Sequence, residues 1–106
     1  MSQLAGKKLG ILVSVGSTAA GFAHAVGLAT AAIEAGVDTY VYCIDEAVTA
    51  IAEPGLQALR PRGLRLYACA YGAQRRGIPL SEEATFAGLT VVSDLMSATD
   101  RFVSFN

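Results

Sequence analysis

One cysteine stands where a predicted strand gives way to a predicted helix. Cys69 directly follows the strand-like run Gly63 to Ala68 and opens a short helical segment that ends at Arg76. The free N–H groups of a helix N-terminus carry partial positive charge and stabilise a thiolate. Arg75 and Arg76 add positive charge nearby, and Tyr71 offers a hydroxyl. A thiolate in this setting is a nucleophile for a disulfide, a persulfide or another electrophile.

The alternative interpretation of each cysteine is structural. Free cysteine is among the most buried residue types and often serves as a small apolar filler, so position alone leaves Cys69 open between the two roles. Cys43 lies inside a strand, between Tyr42 and Ile44, and burial favours core packing for it. If the two strands are neighbours, about 4.8 Å apart, a redox disulfide between Cys43 and Cys69 is conceivable.

Other candidate site residues follow from the expected edge of the sheet. Sites in open α/β sheets form at the carboxyl ends of the strands, which places three loops together: Gly16-Ser17-Thr18, Ile44-Asp45-Glu46 and Ala68-Cys69-Ala70. Ser17 and Thr18 are interpreted as helix caps, with anion binding at that helix N-terminus as the alternative. Gly16 is not followed by the Gly-Lys-Ser/Thr of a P-loop, so nucleotide binding is rejected. The predicted substrate-binding set is therefore Gly16, Ser17, Thr18, Asp45, Tyr71, Arg75 and Arg76.

Strands alternate with helices along the chain. The predicted strands are Leu9 to Val15, Val37 to Ile44, Gly63 to Ala68 and Asp100 to Phe105, with a further short strand at Leu89. The predicted helices are Ala19 to Ala35, Asp45 to Ala52 (broken by Pro54-Gly55), Leu56 to Arg60 (stopped by Pro61), Cys69 to Arg76, a segment capped by Ser81 with Glu82 and Glu83 in its first turn, and a last one ending at Ala98. This order predicts one α/β domain over residues 1–106, with a mostly parallel five-stranded sheet and helices on both faces.

Composition narrows the classes of function. Charged residues make up 16% of the chain, against roughly 25% in typical soluble domains, which favours a homo-oligomer that covers apolar surface. The net charge of −1 argues against direct nucleic-acid binding. No run approaches the roughly 20 apolar residues of a membrane span, and no signal peptide is evident, so a cytoplasmic location is expected. Two cysteines and one histidine without ligand spacing predict no metal site.

Two segments carry a family resemblance that extends over nearly the whole chain. The stretch Gly63 to Gly77, GLRLYACAYGAQRRG, and the closing strand with its Asp100-x-x-x-Ser104-Phe105 pattern resemble the DsrE/DsrF-like sulfur-relay family. Cys69 matches that family's sulfur-carrying cysteine. The chain departs from the family in its shorter length and in abridged helices around Asp45 to Pro54.

The resemblance implies a three-layer flavodoxin-like sandwich that assembles into oligomers. It also implies a sulfur carrier or sulfurtransferase that takes sulfane sulfur as a persulfide on Cys69 and passes it from a donor protein to an acceptor protein, without a cofactor. Members serve sulfur oxidation, sulfur reduction or tRNA thiolation. The alternatives are a non-catalytic oligomeric interaction protein and a small-molecule (anion) binding protein of the same fold.

Overall fold

Strands and helices alternate from the beginning of the chain to its end. The computed structural model describes residues 3–106. The strands are β1 (Lys8–Val13), β2 (Asp38–Cys43), β3 (Arg65–Cys69), β4 (Thr85–Ala87) and β5 (Arg101–Phe105). The α-helices are α1 (Ala20–Glu34), α2 (Pro54–Gln57), α3 (Ala70–Arg75) and α4 (Thr90–Ala98), and 3-10 helices span Asp45–Ala50 and Arg60–Arg62.

The five strands form one sheet in the order β4-β3-β2-β1-β5, and every neighbouring pair is parallel. The predicted α/β class with helices on both faces is therefore confirmed, and the sheet is wholly parallel. The carboxyl ends of β2 and β3 lie side by side, with Cys43 opposite Ala68. This register places the residues that follow both strands at the same edge.

Each face of the sheet packs against its own helices. On one face, Ile11 and Val41 pack with Phe22 and Ala29 of α1. On the other face, Tyr42 and Cys69 pack in a cluster with Val48, Ala73 of α3 and Leu95 of α4. Because successive strand residues point to opposite faces, each strand supplies both cores.

Gly10 lets one aromatic ring lie directly on β1. A Cβ built on Gly10 would stand 2.6 Å from Cδ2 of Phe102, which is closer than any side chain tolerates. The glycine is therefore required by the approach of the Phe102 ring from neighbouring β5, and not by an unusual backbone angle.

Three predicted helix starts are wrong in detail. Ser17 and Thr18 do not cap α1: they lie in a turn closed by the Ala19 N–H and the Gly16 carbonyl (3.1 Å), and α1 begins after Ala19 without a side-chain cap. The helical piece predicted to begin at Leu56 begins earlier: the 3-10 helix ends at Ala50, and Pro54 is the first residue of α2, where its missing N–H costs nothing.

The third wrong start concerns the segment after Ser81. No helix follows it: the Ser81 hydroxyl accepts a hydrogen bond from the Glu83 N–H (3.2 Å) and closes a turn, and strand β4 comes next. The two glutamates therefore lie in a turn before an edge strand. The short strand that the sequence placed at Leu89 lies a few residues earlier, at Thr85–Ala87.

Candidate functional site

Cys69 occupies the junction that the sequence predicts. It is the last residue of β3 and the N-cap of α3, and its sulfur accepts a hydrogen bond from the Gly72 N–H at 3.3 Å. The residue is only 5% exposed. Reagents therefore reach the sulfur only through an opening in the surrounding side chains.

Tyr42 lies beside this sulfur from the neighbouring strand. Its side chain is fully buried, and its hydroxyl donates to the backbone carbonyls of Ala87 (2.7 Å) and Gly88 (3.0 Å). Burial is the main cause, and the adjacent Cys69 side chain is the second, as a negative charge and as a hydrogen-bond acceptor; together they raise the pKa of the Tyr42 hydroxyl to about 12. The hydroxyl therefore keeps its proton over the whole physiological pH range.

A pocket of about 540 Å³ opens over Cys69. That volume lies within the range of roughly 300–1,000 Å³ found for small-molecule sites. Its walls come from the loop after β2, from α3 and from the start of α4, and consist of Ile44, Asp45, Glu46, Tyr71, Gly72, Arg75, Arg76 and Leu89.

The charged groups of the pocket are of both signs. Arg76 pairs with Glu46 at 3.2 Å and also donates to the Gly72 carbonyl at 3.4 Å, so it links the 3-10 helix to α3. Arg75 instead donates to the hydroxyl of Tyr71 at 3.2 Å and lies over its ring. Asp45 holds a left-handed backbone, with a φ of 51°, which is uncommon for a residue other than glycine.

The structure brings only part of the predicted substrate-binding set together. Asp45, Tyr71, Arg75 and Arg76 all line the pocket with Cys69. The loop Gly16-Ser17-Thr18 does not line it, although it lies near: a Cβ on Gly16 would stand 3.9 Å from Cβ of Glu46. Ser17 and Thr18 are exposed.

Cys43 lies on the other side of the sheet from Cys69. Strands β2 and β3 are indeed neighbours, but Cys43 stands opposite Ala68, so the two cysteines point to opposite faces. Cys43 packs in the α1 core, both thiols are free, and burial raises the pKa of the Cys43 thiol to about 12. The conceivable redox disulfide is therefore contradicted, and the core-packing interpretation of Cys43 is confirmed.

Sequence reasoning missed Tyr42 and Gly72 as neighbours of the sulfur. Tyr42 lies within a predicted strand, but without the strand order nothing in the sequence indicated that its side chain lies on the same face of the sheet as Cys69. Leu89 was also missed as a pocket residue. The sequence predicted a short strand beginning at Leu89, whereas Leu89 follows β4 and lines the pocket.

A second cavity lies far from this chemistry. It has a volume of about 470 Å³ and is lined at the amino ends of β1 and β5 by Lys8, Leu9 and Arg101, and along α1 by Leu28 and Ala31, among others. None of the predicted site residues borders it.

Over residues 3–106, no group of three or more His, Cys, Asp and Glu side chains is arranged to hold a metal ion. Within the same residues, each helix is too short or too polar to cross a bilayer.

Comparison with known proteins agrees with the architecture. The crystal structure of the ychN protein from E.coli superposes with a TM-score of 0.81 at 18% identity, covering 99% of this chain and 100% of that one. At this identity the likeness establishes the fold alone. A search of curated proteins finds no match. The DsrE/DsrF-like family matches residues 7–105, which include every strand, the pocket and Cys69. The chain belongs to the DsrE/DsrF-like family.

Proposed function

We propose that the chain is a sulfur carrier, which takes up sulfane sulfur as a persulfide on Cys69 and passes it to a partner protein. The observation that carries the proposal is the placement of the Cys69 sulfur at a pocket of about 540 Å³, with the Gly72 N–H directed at it. Membership of the DsrE/DsrF-like family supports a role of the sulfur-relay type.

The proposed chemistry is a pair of sulfur transfers without net oxidation. The Cys69 thiolate attacks the outer sulfur of a donor persulfide, R–S–SH. The new bond joins Sγ of Cys69 to that outer sulfur, the donor S–S bond breaks, and the donor leaves as the thiolate R–S⁻. An acceptor thiolate then attacks the outer sulfur, the Cys69 S–S bond breaks, and the Cys69 thiolate is regenerated. Atoms and charge balance in both steps, and neither step needs a cofactor.

The pocket residues suit these steps. The Gly72 N–H stabilises negative charge on Sγ, as backbone donors do for other anions. Arg75 and Arg76 supply positive charge on the wall where an anionic outer sulfur or donor would lie. Arg76 binds both Glu46 and the Gly72 carbonyl. It therefore holds the first turn of α3, and with it the Gly72 N–H, beside the Cys69 sulfur.

The proposal requires a sulfur donor protein and a sulfur acceptor protein, and we also expect copies of this chain to associate. Several large apolar side chains are exposed: Tyr71 and Leu89 line the pocket, Met96 lies on α4, and Leu80 precedes β4, and each is between 59% and 71% exposed. A partner or a second copy that covers them would gain the free energy of apolar burial.

Sulfur loading tests the proposal. The reduced protein is treated with a sulfane-sulfur donor and weighed intact, beside the Cys69→Ser and Cys43→Ser variants. We expect one added sulfur in wild type and in Cys43→Ser, and none in Cys69→Ser. No loading of wild type, or equal loading of Cys43, would remove the support for a carrier.

The competing function is a non-catalytic interaction or anion-binding protein of the same fold. The low exposure of Cys69, 5%, is the observation that favours it. It predicts that thiol reagents fail to label Cys69 in the native protein, whereas the carrier requires labelling through the pocket.

A further inference from the structure

We infer that the Tyr42 hydroxyl donates a hydrogen bond to the Cys69 sulfur whenever that sulfur is negatively charged, and that Tyr42 thereby sets the pH at which Cys69 reacts. This role deepens the proposed function and rests on it for its use in sulfur transfer. The donor itself can be tested on the thiolate alone.

The acceptors within reach of the Tyr42 hydroxyl are two backbone carbonyls and the Cys69 sulfur. The Tyr42 side chain starts on β2, its ring lies 6.3 Å from the Tyr67 ring between centroids, and its hydroxyl meets the carbonyls of Ala87 and Gly88 at the end of β4. The path crosses β3, the strand that lies between β2 and β4 and ends on Cys69. Cys69 stands opposite Ala87 in the register of β3 and β4, and its side chain belongs to the same buried cluster as Tyr42, so the hydroxyl ends beside the Cys69 side chain.

A hydroxyl has one proton to give, so its acceptor depends on the charge of the sulfur. Beside a neutral thiol, the carbonyls of Ala87 and Gly88 are the better acceptors, and the hydroxyl donates to them. An ionised acceptor forms a hydrogen bond roughly twice as strong as a neutral one, which favours the sulfur once it is a thiolate. Gly88 is exposed, so a water molecule can donate a hydrogen bond to the Gly88 carbonyl in place of the Tyr42 hydroxyl.

The same donor serves both sulfur transfers. Negative charge lies on Sγ of Cys69 before the attack on the donor and again when Cys69 leaves after the acceptor attacks. A donor fixed beside Sγ, and not beside the outer sulfur, stabilises these two states and leaves the intermediate persulfide free in the pocket. Gly72 contributes the second donor to the same atom.

Other charged and titratable groups surround the sulfur, and all of them are unchanged in Tyr42→Phe. Asp45 and Glu46 after β2 and Tyr71, Arg75 and Arg76 of α3 line the pocket, while Tyr40 and Tyr67 pack against the buried cluster without bordering the pocket. Tyr42 differs from these groups because its side chain is fully buried.

The experiment measures the rate of Cys69 alkylation by iodoacetamide as a function of pH, with peptide mass spectrometry to assign the site. Tyr42→Phe removes the hydroxyl alone. The matched control is Tyr67→Phe, which removes a hydroxyl from the stacked ring on the same face. We expect Tyr42→Phe to move the pH profile upward by about one pH unit, and to slow alkylation about tenfold at a fixed pH on the rising part. We expect Tyr67→Phe to overlay wild type.

A second variant guards against a folding defect in Tyr42→Phe. Incorporation of 3-fluorotyrosine at position 42 keeps the ring and the hydroxyl but makes the hydroxyl a stronger donor, so the profile should move downward. Profiles that coincide with wild type for both changes at position 42, or an equal shift in Tyr67→Phe, would overturn the inference.

Sulfur loading of the same proteins separates this inference from the proposed function. If wild type loads sulfur on Cys69 and Tyr42→Phe loads with an unchanged pH profile, the carrier stands and the Tyr42 role fails. If wild type loads no sulfur but the alkylation profile shifts in Tyr42→Phe, the donor role stands and the carrier fails.

Discussion

Replacing Cys43 by alanine should change how the free energy of unfolding varies with pH, as well as its value at neutral pH. Cys43 is fully buried, and its pKa rises from 9.0 to about 12 in the folded chain. Above pH 9 the unfolded chain loses the thiol proton while the folded chain retains it, so deprotonation favours unfolding. The stabilisation from the neutral buried thiol is therefore complete below pH 9 and is lost as the pH rises toward 12.

The magnitude follows from the size of the shift. Each pKa unit corresponds to roughly 1.4 kcal/mol, so the wild type should lose about 3 kcal/mol by pH 11 through Cys43 alone. Cys43→Ala lacks this loss. Its free energy of unfolding is instead lower by about 1–2 kcal/mol at every pH, because the smaller side chain leaves a cavity. The contribution of Tyr42, whose pKa is raised as well, is common to both proteins and cancels in the difference.

Urea denaturation of both proteins at pH 8, 9, 10 and 11 measures the effect. We expect wild type to be the more stable protein at pH 8 and to lose that advantage between pH 9 and pH 11, where the order reverses. A difference in unfolding free energy that stays constant from pH 8 to pH 11 would contradict the raised pKa of Cys43. It would mean that Cys43 titrates in the folded chain as it does in the unfolded one.

Three further expectations concern packing, backbone strain and association. Gly10→Ala should destabilise the fold by about 1–3 kcal/mol in chemical denaturation because the new methyl group displaces the Phe102 ring, and an unchanged midpoint would contradict the contact. Asp45→Gly should match or exceed wild-type stability because it relieves the left-handed backbone, whereas Asp45→Ala should lose about 1 kcal/mol; equal stability of the two variants would contradict the strain. Light scattering should find a homo-oligomer that Met96→Glu or Leu89→Glu weakens, and a wild-type monomer at micromolar concentration would contradict the expected association.

The sequence predicted the layers of the fold because hydrophobic runs and helix ends are local signals. The strand at Leu9 to Val15, the glycine stop at Gly36 and the junction at Cys69 are all found within one or two residues of their expected places. The segment after Ser81 was assigned wrongly because a serine followed by two glutamates is typical of both a helix start and a polar turn, and the short edge strand β4 offers little hydrophobic pattern.

The site was predicted in part, for a physical reason. Residues adjacent to Cys69 along the chain, such as Tyr71 and Arg76, reach the pocket through local helix geometry. Tyr42 reaches the sulfur only because β2 and β3 are neighbours and share a register, and that pairing is a tertiary property. The Gly16-Ser17-Thr18 loop follows β1, one strand further from β3, and it therefore stays outside the pocket.

The central claim is that Cys69 both accepts and releases sulfane sulfur. The most direct measurement loads the reduced protein with isotopically labelled sulfane sulfur, locates the label by peptide mass spectrometry, and then follows its discharge to an added thiol. We expect label on the peptide that contains Cys69, none on the peptide that contains Cys43, and complete transfer to the thiol with return of the original protein mass. Label that is absent from Cys69, or that stays there in the presence of excess thiol, would contradict it.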